Sequence, residues 1–251
     1  MHESDAEQIA RVNTSGRVPV VFIHGLWLLP SSWDRWGPVF ADAGYAPFCP
    51  GWPDDPDTVA EAYAEPEVFA NKTVGQVANH YAAIIAGLDR KPVVIGHSFG
   101  GLLTQILAGR GLAAVSVAID SAPFRGVLPL PISALRSAAA VLGNPANRHR
   151  ATLRDVRRAD SRRPDLPGRD ANLNPWTEAK VNSTNPARGP MLVISGEKDH
   201  TVPPAISDAI YKKQMRNHAV TELADRGHSL TIDHGWREVA DVSLAFVKRF
   251  A

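Results

Sequence analysis

Several features that define specialised protein classes are scarce or missing in this sequence. It contains one cysteine, Cys49, in 251 residues, which excludes an internal disulfide and is typical of a reducing compartment. No apolar run approaches the ~18 residues that a membrane span needs. The first seven residues are polar and acidic and do not resemble a signal peptide. We therefore expect a cytoplasmic protein without stable membrane insertion.

The charge balance and the lack of certain motifs argue against nucleic acid, nucleotide cofactors and metal ions as ligands. The formal net charge is +1, which gives no general attraction to nucleic acid or to an anionic surface. No G-x-G-x-x-G or Walker-type loop is present. His200, Asp233 and His234 lack the spacing of a metal site. These absences favour a function that uses no cofactor, metal ion or nucleic acid, and they leave the oligomeric state open.

Apolar segments alternate with helix-like stretches along the chain. Six segments with continuous apolar character predict parallel strands that are covered on both faces. They lie near Val18–Ile23, Tyr45–Cys49, Pro92–Gly96, Ala114–Ile119, Pro190–Ser195 and Ala219–Ala224. The predicted fold is therefore α/β, with helices on both faces of a mostly parallel sheet of about six strands. The length suits one domain, residues 1–251.

Helices are predicted between these strands by an apolar period of 3.6 residues. One apolar stripe runs from Val74 to Leu88; Thr73 stands directly before it and Gln76 three residues after Thr73, which is the spacing of a capping box. Another stripe, from Trp236 to Phe250, predicts a final helix with a strongly apolar inward face.

A serine stands between two glycines where a predicted strand meets a predicted helix. Residues 96–100 read G-H-S-F-G, which is the form of a nucleophile elbow. Such a tight turn requires residues without bulk two positions either side of the serine, and Gly96 and Gly100 meet that need. The free N–H groups of the following helix favour negative charge near Ser98. Ser98 is therefore the candidate nucleophile.

A serine hydroxyl needs a base to accept its proton and an acid to orient that base. Asp199 lies in a polar turn after the predicted strand that ends at Ser195, and His228 lies in a loop after the last predicted strand. The chain order is therefore Ser98, Asp199, His228. Asp120, at the end of the strand after the elbow, remains an alternative acid.

Four motifs follow one another in a fixed order along the chain. They are His24-Gly25 after the first predicted strand, the Ser98 elbow, the run from Ser195 to Asp199, and Gly227-His228. With these motifs the chain resembles the α/β-hydrolase superfamily, close to the small bacterial esterases and lipases whose elbow reads G-H-S-x-G-G. The resemblance covers nearly the whole chain and implies the chain order Ser, acid, His.

The resemblance also implies an oxyanion hole, formed by the backbone N–H groups of Leu26 and Phe99. His24 and His97 are expected to support these loops by hydrogen bonds. Trp27 and Trp33, which lie near the first turn, either pack that loop or line the acyl pocket. We take Trp27 as the candidate substrate-binding residue.

Two departures from the superfamily pattern concern the start of the chain and the cap. About seventeen residues precede the first strand, so the antiparallel strands that often open this fold are expected to be absent or reduced. A reduced, polar cap is predicted at residues 121–189, with a helix at Pro129–Leu142. Within it, Arg148–Asp170 carries eight arginines and four aspartates and few large apolar residues, which favours a solvated or mobile loop. An irregular but ordered lid and a basic patch for an anionic partner remain the alternatives.

We expect a metal-free serine hydrolase that cleaves carboxylic esters with short to medium acyl chains through an acyl-enzyme intermediate. The same residues would serve a lactonase, an amidase or a perhydrolase, and the sequence separates these activities poorly. An aspartate nucleophile, as used by haloalkane dehalogenases and epoxide hydrolases of this fold, is excluded by Ser98. A non-catalytic ligand-binding protein of the same fold remains the alternative from another class.

Overall fold

A sheet of six parallel strands is the central element of the computed structural model. The structure describes residues 3–26, 28–65, 68, 72–127, 178–214 and 218–251. The strands are β1 (Pro19–Ile23), β2 (Ala46–Phe48), β3 (Val93–His97), β4 (Val115–Ile119), β5 (Met191–Gly196) and β6 (His218–Leu223). Their order in the sheet is β2-β1-β3-β4-β5-β6, so β1, β3, β4 and β5 are interior strands. The predicted α/β-hydrolase architecture is confirmed.

Helices cover both faces of this sheet. Within the described ranges they are α1 (Asp5–Ser15), α2 (Trp36–Asp42), α3 (Val59–Ala64), α4 (Val74–Ala86), α5 (Phe99–Gly109), α6 (Pro204–Lys212) and α7 (Trp236–Val247), with a short 3-10 helix at Pro30–Trp33. The predicted capping box before α4 is present, since the Thr73 hydroxyl accepts a hydrogen bond from the backbone N–H of Gln76. None of these helices is long and apolar enough to cross a membrane.

Successive residues of a strand contribute to the cores on opposite faces of the sheet, because side chains alternate along a strand. Val21 and Ile23 of β1 pack with the apolar side of α4 and α5. Val20 and Phe22 pack with α2 and α7 on the other face. Phe22 stacks on Trp33 with 4.9 Å between ring centroids and meets Trp36 edge-on. Each such side chain contributes roughly 1.5–3 kcal/mol when fully buried.

The register of the sheet brings the carboxyl ends of five strands to one edge. Ile23 of β1 pairs with Gly96 of β3, and His97 of β3 pairs with Ile119 of β4. Strand β5 continues the register to β6, where Gly196 pairs with Leu223. Polar residues that follow these strands in the sequence are therefore neighbours in space.

Among the described residues before β1, the structure has the helix α1 and no strand; this helix was not predicted from the sequence. The Ser4 hydroxyl accepts a hydrogen bond from the N–H of Glu7, whose side chain returns to the N–H of Ser4. Most of the predicted cap (121–189) lies outside the described residues, including Pro129–Leu142 and Arg148–Asp170.

Candidate active site

The turn between β3 and α5 holds Ser98 in a strained backbone conformation. Its φ of 56° and ψ of −115° are sparsely populated for a residue with a side chain. Two hydrogen bonds fix the turn: the Ser98 N–H donates to the Ile119 carbonyl at 2.8 Å, and the Ser98 carbonyl accepts from the Ala122 N–H at 2.9 Å. The Ser98 hydroxyl is consequently lifted above the edge of the sheet.

The close approach of β1, β3 and α5 explains the two glycines of this turn. A Cβ atom at Gly96 would overlap the carbonyl group of Gly100, and one at Gly100 would overlap the carbonyl oxygen of Ile23. Any larger residue would push α5 away from the sheet. The glycine spacing read from the sequence is therefore a steric requirement of this packing.

The imidazole of His228 lies between Ser98 and Asp199. Its Nε2 is 3.0 Å from Oγ of Ser98, and its Nδ1 is 2.7 Å from Oδ2 of Asp199. Because a carboxylate only accepts, Nδ1 carries the hydrogen and Nε2 is free to accept the proton of the serine hydroxyl. The three residues proposed from chain order thus form one hydrogen-bonded line.

Asp199 is held rigidly at the end of β5. Its Oδ1 accepts hydrogen bonds from the N–H groups of Thr201 at 2.7 Å and Val202 at 2.9 Å. Its side chain is fully buried, whereas the His228 side chain is 23% exposed and Ser98 is partly exposed. The line of hydrogen bonds therefore begins in the protein interior and ends at a hydroxyl that a substrate can reach.

The loop after β1 packs directly against Ser98. A Cβ atom placed on Gly25 would lie 3.1 Å from Cβ of Ser98. The N–H of Leu28 donates to the Gly25 carbonyl at 3.3 Å, which closes a tight turn with Leu26 at its first central position. As the first residue of α5, Phe99 has an N–H without an acceptor inside that helix. The N–H of Phe99 thus directly follows the serine, and Leu26 belongs to the loop that packs against it; their role as oxyanion donors stays a prediction.

A buried hydrogen bond between His24 and Asp55 supports the same loop. His24 Nε2 lies 2.9 Å from Oδ2 of Asp55, and His24 Nδ1 lies 2.9 Å from the Gly25 carbonyl oxygen. Both ring nitrogens thus lie at hydrogen-bond distance from oxygen atoms of the surrounding loops. Asp55 also accepts from the Trp52 N–H at 2.7 Å. The sequence analysis missed Asp55, since nothing distinguished it from the other aspartates of its loop.

His97 precedes the nucleophile and contacts the loop of His228. Its Nε2 donates a hydrogen bond to the His228 backbone carbonyl at 2.7 Å, and its Nδ1 has no hydrogen-bond partner among the described residues. Burial, reinforced by the nearby His228, lowers the pKa of His97 to about 3. His97 is thus a neutral supporting group rather than a base, as the sequence analysis expected.

Asp120 follows β4 and lies behind the line of Ser98, His228 and Asp199. It does not occupy the position of Asp199 against His228 Nδ1. Its Oδ1 accepts a hydrogen bond from the Gly196 N–H at 2.9 Å. Burial, and after it the charge of Asp199, raises the pKa of Asp120 well above its ordinary value.

Of the two tryptophans near the first turn, the structure describes only Trp33. Trp33 is 2% exposed and packs in the aromatic core with Phe22. It therefore packs the loop instead of lining a pocket. Trp27 lies outside the described residues, so its assignment to the substrate pocket stays a prediction.

The described residues contain one group of three potential metal ligands, formed by His97, Asp120 and His228. One ligand atom from each lies within 4.8 Å of the others. A metal ion there would compete with the hydrogen bonds that His97 and His228 already make. Of the predicted loop residues, His200 and His234 are exposed, and Asp233 pairs with Arg226.

Comparison with known proteins agrees with this architecture. No curated protein sequence matches the chain significantly. Among solved structures, a monoacylglycerol lipase from Paleococcus ferrophilus matches with a TM-score of 0.63 and 19% identity, over 93% of this chain and 95% of its own. A thermophilic esterase from Thermogutta terrifontis matches with a TM-score of 0.61 and 16% identity, over 93% and 90%.

A third structure is BpoC of Mycobacterium tuberculosis H37Rv, provisionally named a non-heme bromoperoxidase. It matches with a TM-score of 0.61 and 20% identity, over 93% of each chain. At these low sequence identities, the similarity to the three structures is evidence for the fold alone. The family model described as the alpha/beta hydrolase family matches residues 20–242. This range includes the elbow and the three hydrogen-bonded residues Ser98, Asp199 and His228. On this match, the chain belongs to the alpha/beta hydrolase family.

Proposed function

We propose that the protein is a serine hydrolase that cleaves carboxylic esters through an acyl-enzyme intermediate. The observation that carries this proposal is the hydrogen-bonded line from Asp199 through His228 to Ser98, with distances of 2.7 and 3.0 Å. A hydroxyl at hydrogen-bond distance from an oriented imidazole is the arrangement that activates a serine nucleophile.

In the first half-reaction, Oγ of Ser98 attacks the ester carbonyl carbon while Nε2 of His228 takes the hydroxyl proton. The carbonyl oxygen becomes an oxyanion that the N–H groups of Leu26 and Phe99 bind, each contributing roughly 10²–10³ in rate. The bond from the carbonyl carbon to the alkoxy oxygen then breaks, and His228 gives its proton to the departing alcohol. The acyl group remains on Ser98.

In the second half-reaction, water attacks the acyl carbon and His228 takes one of its protons. The second tetrahedral intermediate collapses with release of Oγ of Ser98, which regains its proton from His228. The carboxylic acid leaves and the starting enzyme is restored. Throughout both halves, Asp199 orients the imidazole and stabilises its protonated form.

The ester class is supported by the names of structural neighbours, a monoacylglycerol lipase and a thermophilic esterase. Preference for short or medium acyl chains is supported by the composition of Arg148–Asp170. That segment offers few large apolar side chains to enclose a long chain. Lactones and amides are substrates for the same chemistry, so relative rates on matched butyrate esters, lactones and amides decide the substrate class.

Rapid-mixing kinetics with p-nitrophenyl butyrate test this proposal. An acyl-enzyme mechanism predicts a burst of p-nitrophenol close to one equivalent per enzyme when deacylation is slower than acylation. It also predicts a butyryl group on Ser98, found by mass spectrometry after acid quenching. Binding of the ester without turnover or acylation would instead identify a non-catalytic protein of this fold.

A further inference from the structure

His228 lies in the segment of residues 226–235, called the base loop below, which follows β6 and leads into α7. From this loop the imidazole contacts Ser98 Oγ at 3.0 Å and Asp199 Oδ2 at 2.7 Å. A displacement of about 1 Å from a reactive geometry can lower a rate about 10²-fold. The role proposed for His228 therefore requires this loop to be held in place.

A buried ion pair joins the two ends of the base loop. The guanidinium of Arg226 donates from Nε to Oδ2 of Asp233 at 3.3 Å and from Nη2 to Oδ1. Its Nη1 donates to the backbone carbonyl of Gly235 at 3.2 Å. The Arg226 side chain is 7% exposed and that of Asp233 is 21% exposed. Glu238, 3.3 Å from Nη1, is 62% exposed, so water screens its charge and Asp233 is the main partner.

Arg226 also contacts the segment that carries the acid. Its backbone carbonyl accepts a hydrogen bond at 2.8 Å from the N–H of Lys198, one residue before Asp199. The same carbonyl lies so close to Gly196, at the end of β5, that a Cβ atom there would overlap it. Arg226 therefore connects the residue that closes the base loop to the strand that precedes the acid.

A contribution to stability alone does not explain an ion pair at this place. The cost of burying two charges offsets most of their attraction, so a buried pair is weak evidence for net stability. A planar guanidinium with two N–H groups on one carboxylate does fix the distance and direction between two points of the chain. Here one point lies two residues before His228 and the other five residues after it. The pair thus restricts the loop on both sides of the base.

We propose that Arg226 is a positioning residue for the reaction, which holds the base loop in its reactive position through the ion pair with Asp233. Because its side chain bonds this loop and not the reacting groups, it acts through His228. His97 holds the middle of the same loop through the His228 carbonyl, and the ion pair holds its ends. The inference rests on the proposed function, because it assigns a role toward His228 as the base.

Substitution of the two partners tests the proposal. Arg226→Gln and Asp233→Asn should each lower kcat on p-nitrophenyl butyrate by about 10- to 100-fold, while KM changes less than about twofold, because the displaced group is the base. The double variant should be no slower than the slower single variant, since the two residues act as one pair. Losses of kcat that multiply in the double variant would overturn the proposal.

Gly235→Ala is a second variant that displaces the guanidinium without removing a charge. A Cβ atom at Gly235 would overlap Nη1 of Arg226. This variant should reproduce the loss of kcat, and it keeps the proposal testable when Arg226→Gln does not fold. Wild-type kcat in the folded variants would overturn the proposal.

The matched control is Asp225→Asn. Asp225 directly precedes Arg226 and also pairs with a cation, Lys198, but its side chain is 79% exposed. An exposed pair fixes little, so this substitution should leave kcat and KM unchanged. Circular dichroism and thermal unfolding verify that every variant is folded at the assay temperature.

Proton NMR of the unreacted protein gives a readout that a loss of stability alone would not change. The Nδ1 proton between His228 and Asp199 should give a far-downfield resonance in the wild type and in Asp225→Asn. In Arg226→Gln and Gly235→Ala, recorded well below their unfolding temperatures, it should broaden or disappear, because the displaced base loop lets the proton exchange with water. An unchanged resonance would overturn the proposal.

The proposed function and this inference fail in different ways. A folded wild type that binds the ester without turnover would overturn the proposed function, and the NMR resonance would still test how Arg226 positions His228. An active wild type whose variants keep their kcat and their resonance would overturn the inference alone.

Discussion

The imidazole of His97 donates its Nε2 hydrogen to the backbone carbonyl of His228 at 2.7 Å, and the two rings lie 4.9 Å apart. The residue before the nucleophile therefore fixes the backbone of the base. The contact joins the end of β3 to the loop after β6, which β4 and β5 separate in the sheet. His97 therefore supports the loop of His228 as well as the elbow.

Because the pKa of His97 falls to about 3 in the folded protein, His97 makes stability depend on pH. Unfolded His97 takes up a proton as the pH falls below about 6.5, whereas the folded protein does not. The unfolded state thus binds more protons between about pH 3 and 6.5, and stability decreases as the pH falls through that window. The limiting slope for one group is about 1.4 kcal/mol per pH unit.

His97→Gln should remove this dependence. Glutamine can donate an amide hydrogen toward the His228 carbonyl but cannot titrate. Urea unfolding at pH 7 and pH 5 should show a smaller loss of unfolding free energy for the variant than for the wild type. Equal losses in the two proteins would contradict the burial of a neutral His97.

Ser98→Ala should lower kcat on a p-nitrophenyl ester by about 10⁴–10⁶, with little change in unfolding free energy. The physical reason is that no other hydroxyl lies in line with His228 and Asp199 among the contacts of the described residues. Steady-state kinetics on protein with verified folding measure the effect. A variant that keeps most of its activity would sink the assignment of the nucleophile.

Asp55→Ala should reduce kcat by about tenfold, with a small change in KM, because Asp55 supports the turn that carries the Leu26 N–H through His24. Removal of the carboxylate also leaves a buried ring nitrogen without a partner, at a cost of about 1–3 kcal/mol of stability. Asp55→Asn should recover most of the activity and of the stability, since an amide can also hydrogen-bond the ring nitrogen of His24. Equal damage from the two substitutions would argue against a hydrogen-bond role.

The preferred length of the acyl group depends on how much of it the protein encloses. Each methylene contributes about 0.8 kcal/mol of transition-state binding only where an apolar channel buries it. Because Arg148–Asp170, within the predicted cap, is rich in arginine and has few large apolar residues, we expect kcat/KM to level off beyond medium-length esters. A value that keeps rising from butyrate to palmitate, measured below aggregation limits, would contradict this prediction.

Much of the sheet was predictable from the sequence because strands covered on both faces are continuously apolar. Each of the six strands begins and ends within about one residue of its predicted bounds. Helix α1 was missed because it is mostly polar and buries only Gln8 and Val12. Its capping box, Ser4 and Glu7, was the available signal. The final helix was predicted too long: it ends at Val247, and Phe250 is 43% exposed.

The candidate site was predictable to the extent that motifs and chain order determine it. Ser98, Asp199 and His228 come together as their order indicated. The pairing of Asp55 with His24 was not predictable, because it depends on how the loop after β2 returns to β1. The nearness of Asp120 to the base likewise depends on the order of strands in the sheet, which a local pattern does not encode.

The proposed hydrolase activity requires Ser98 to be an activated nucleophile. The most direct measurement is reaction of the wild-type protein with a fluorophosphonate, followed by intact mass and peptide mapping. We expect one phosphonyl group per chain, attached to Ser98, and no labelling of Ser98→Ala or of heat-denatured protein. A folded wild-type protein that stays unlabelled, or that is labelled at another residue, would contradict it.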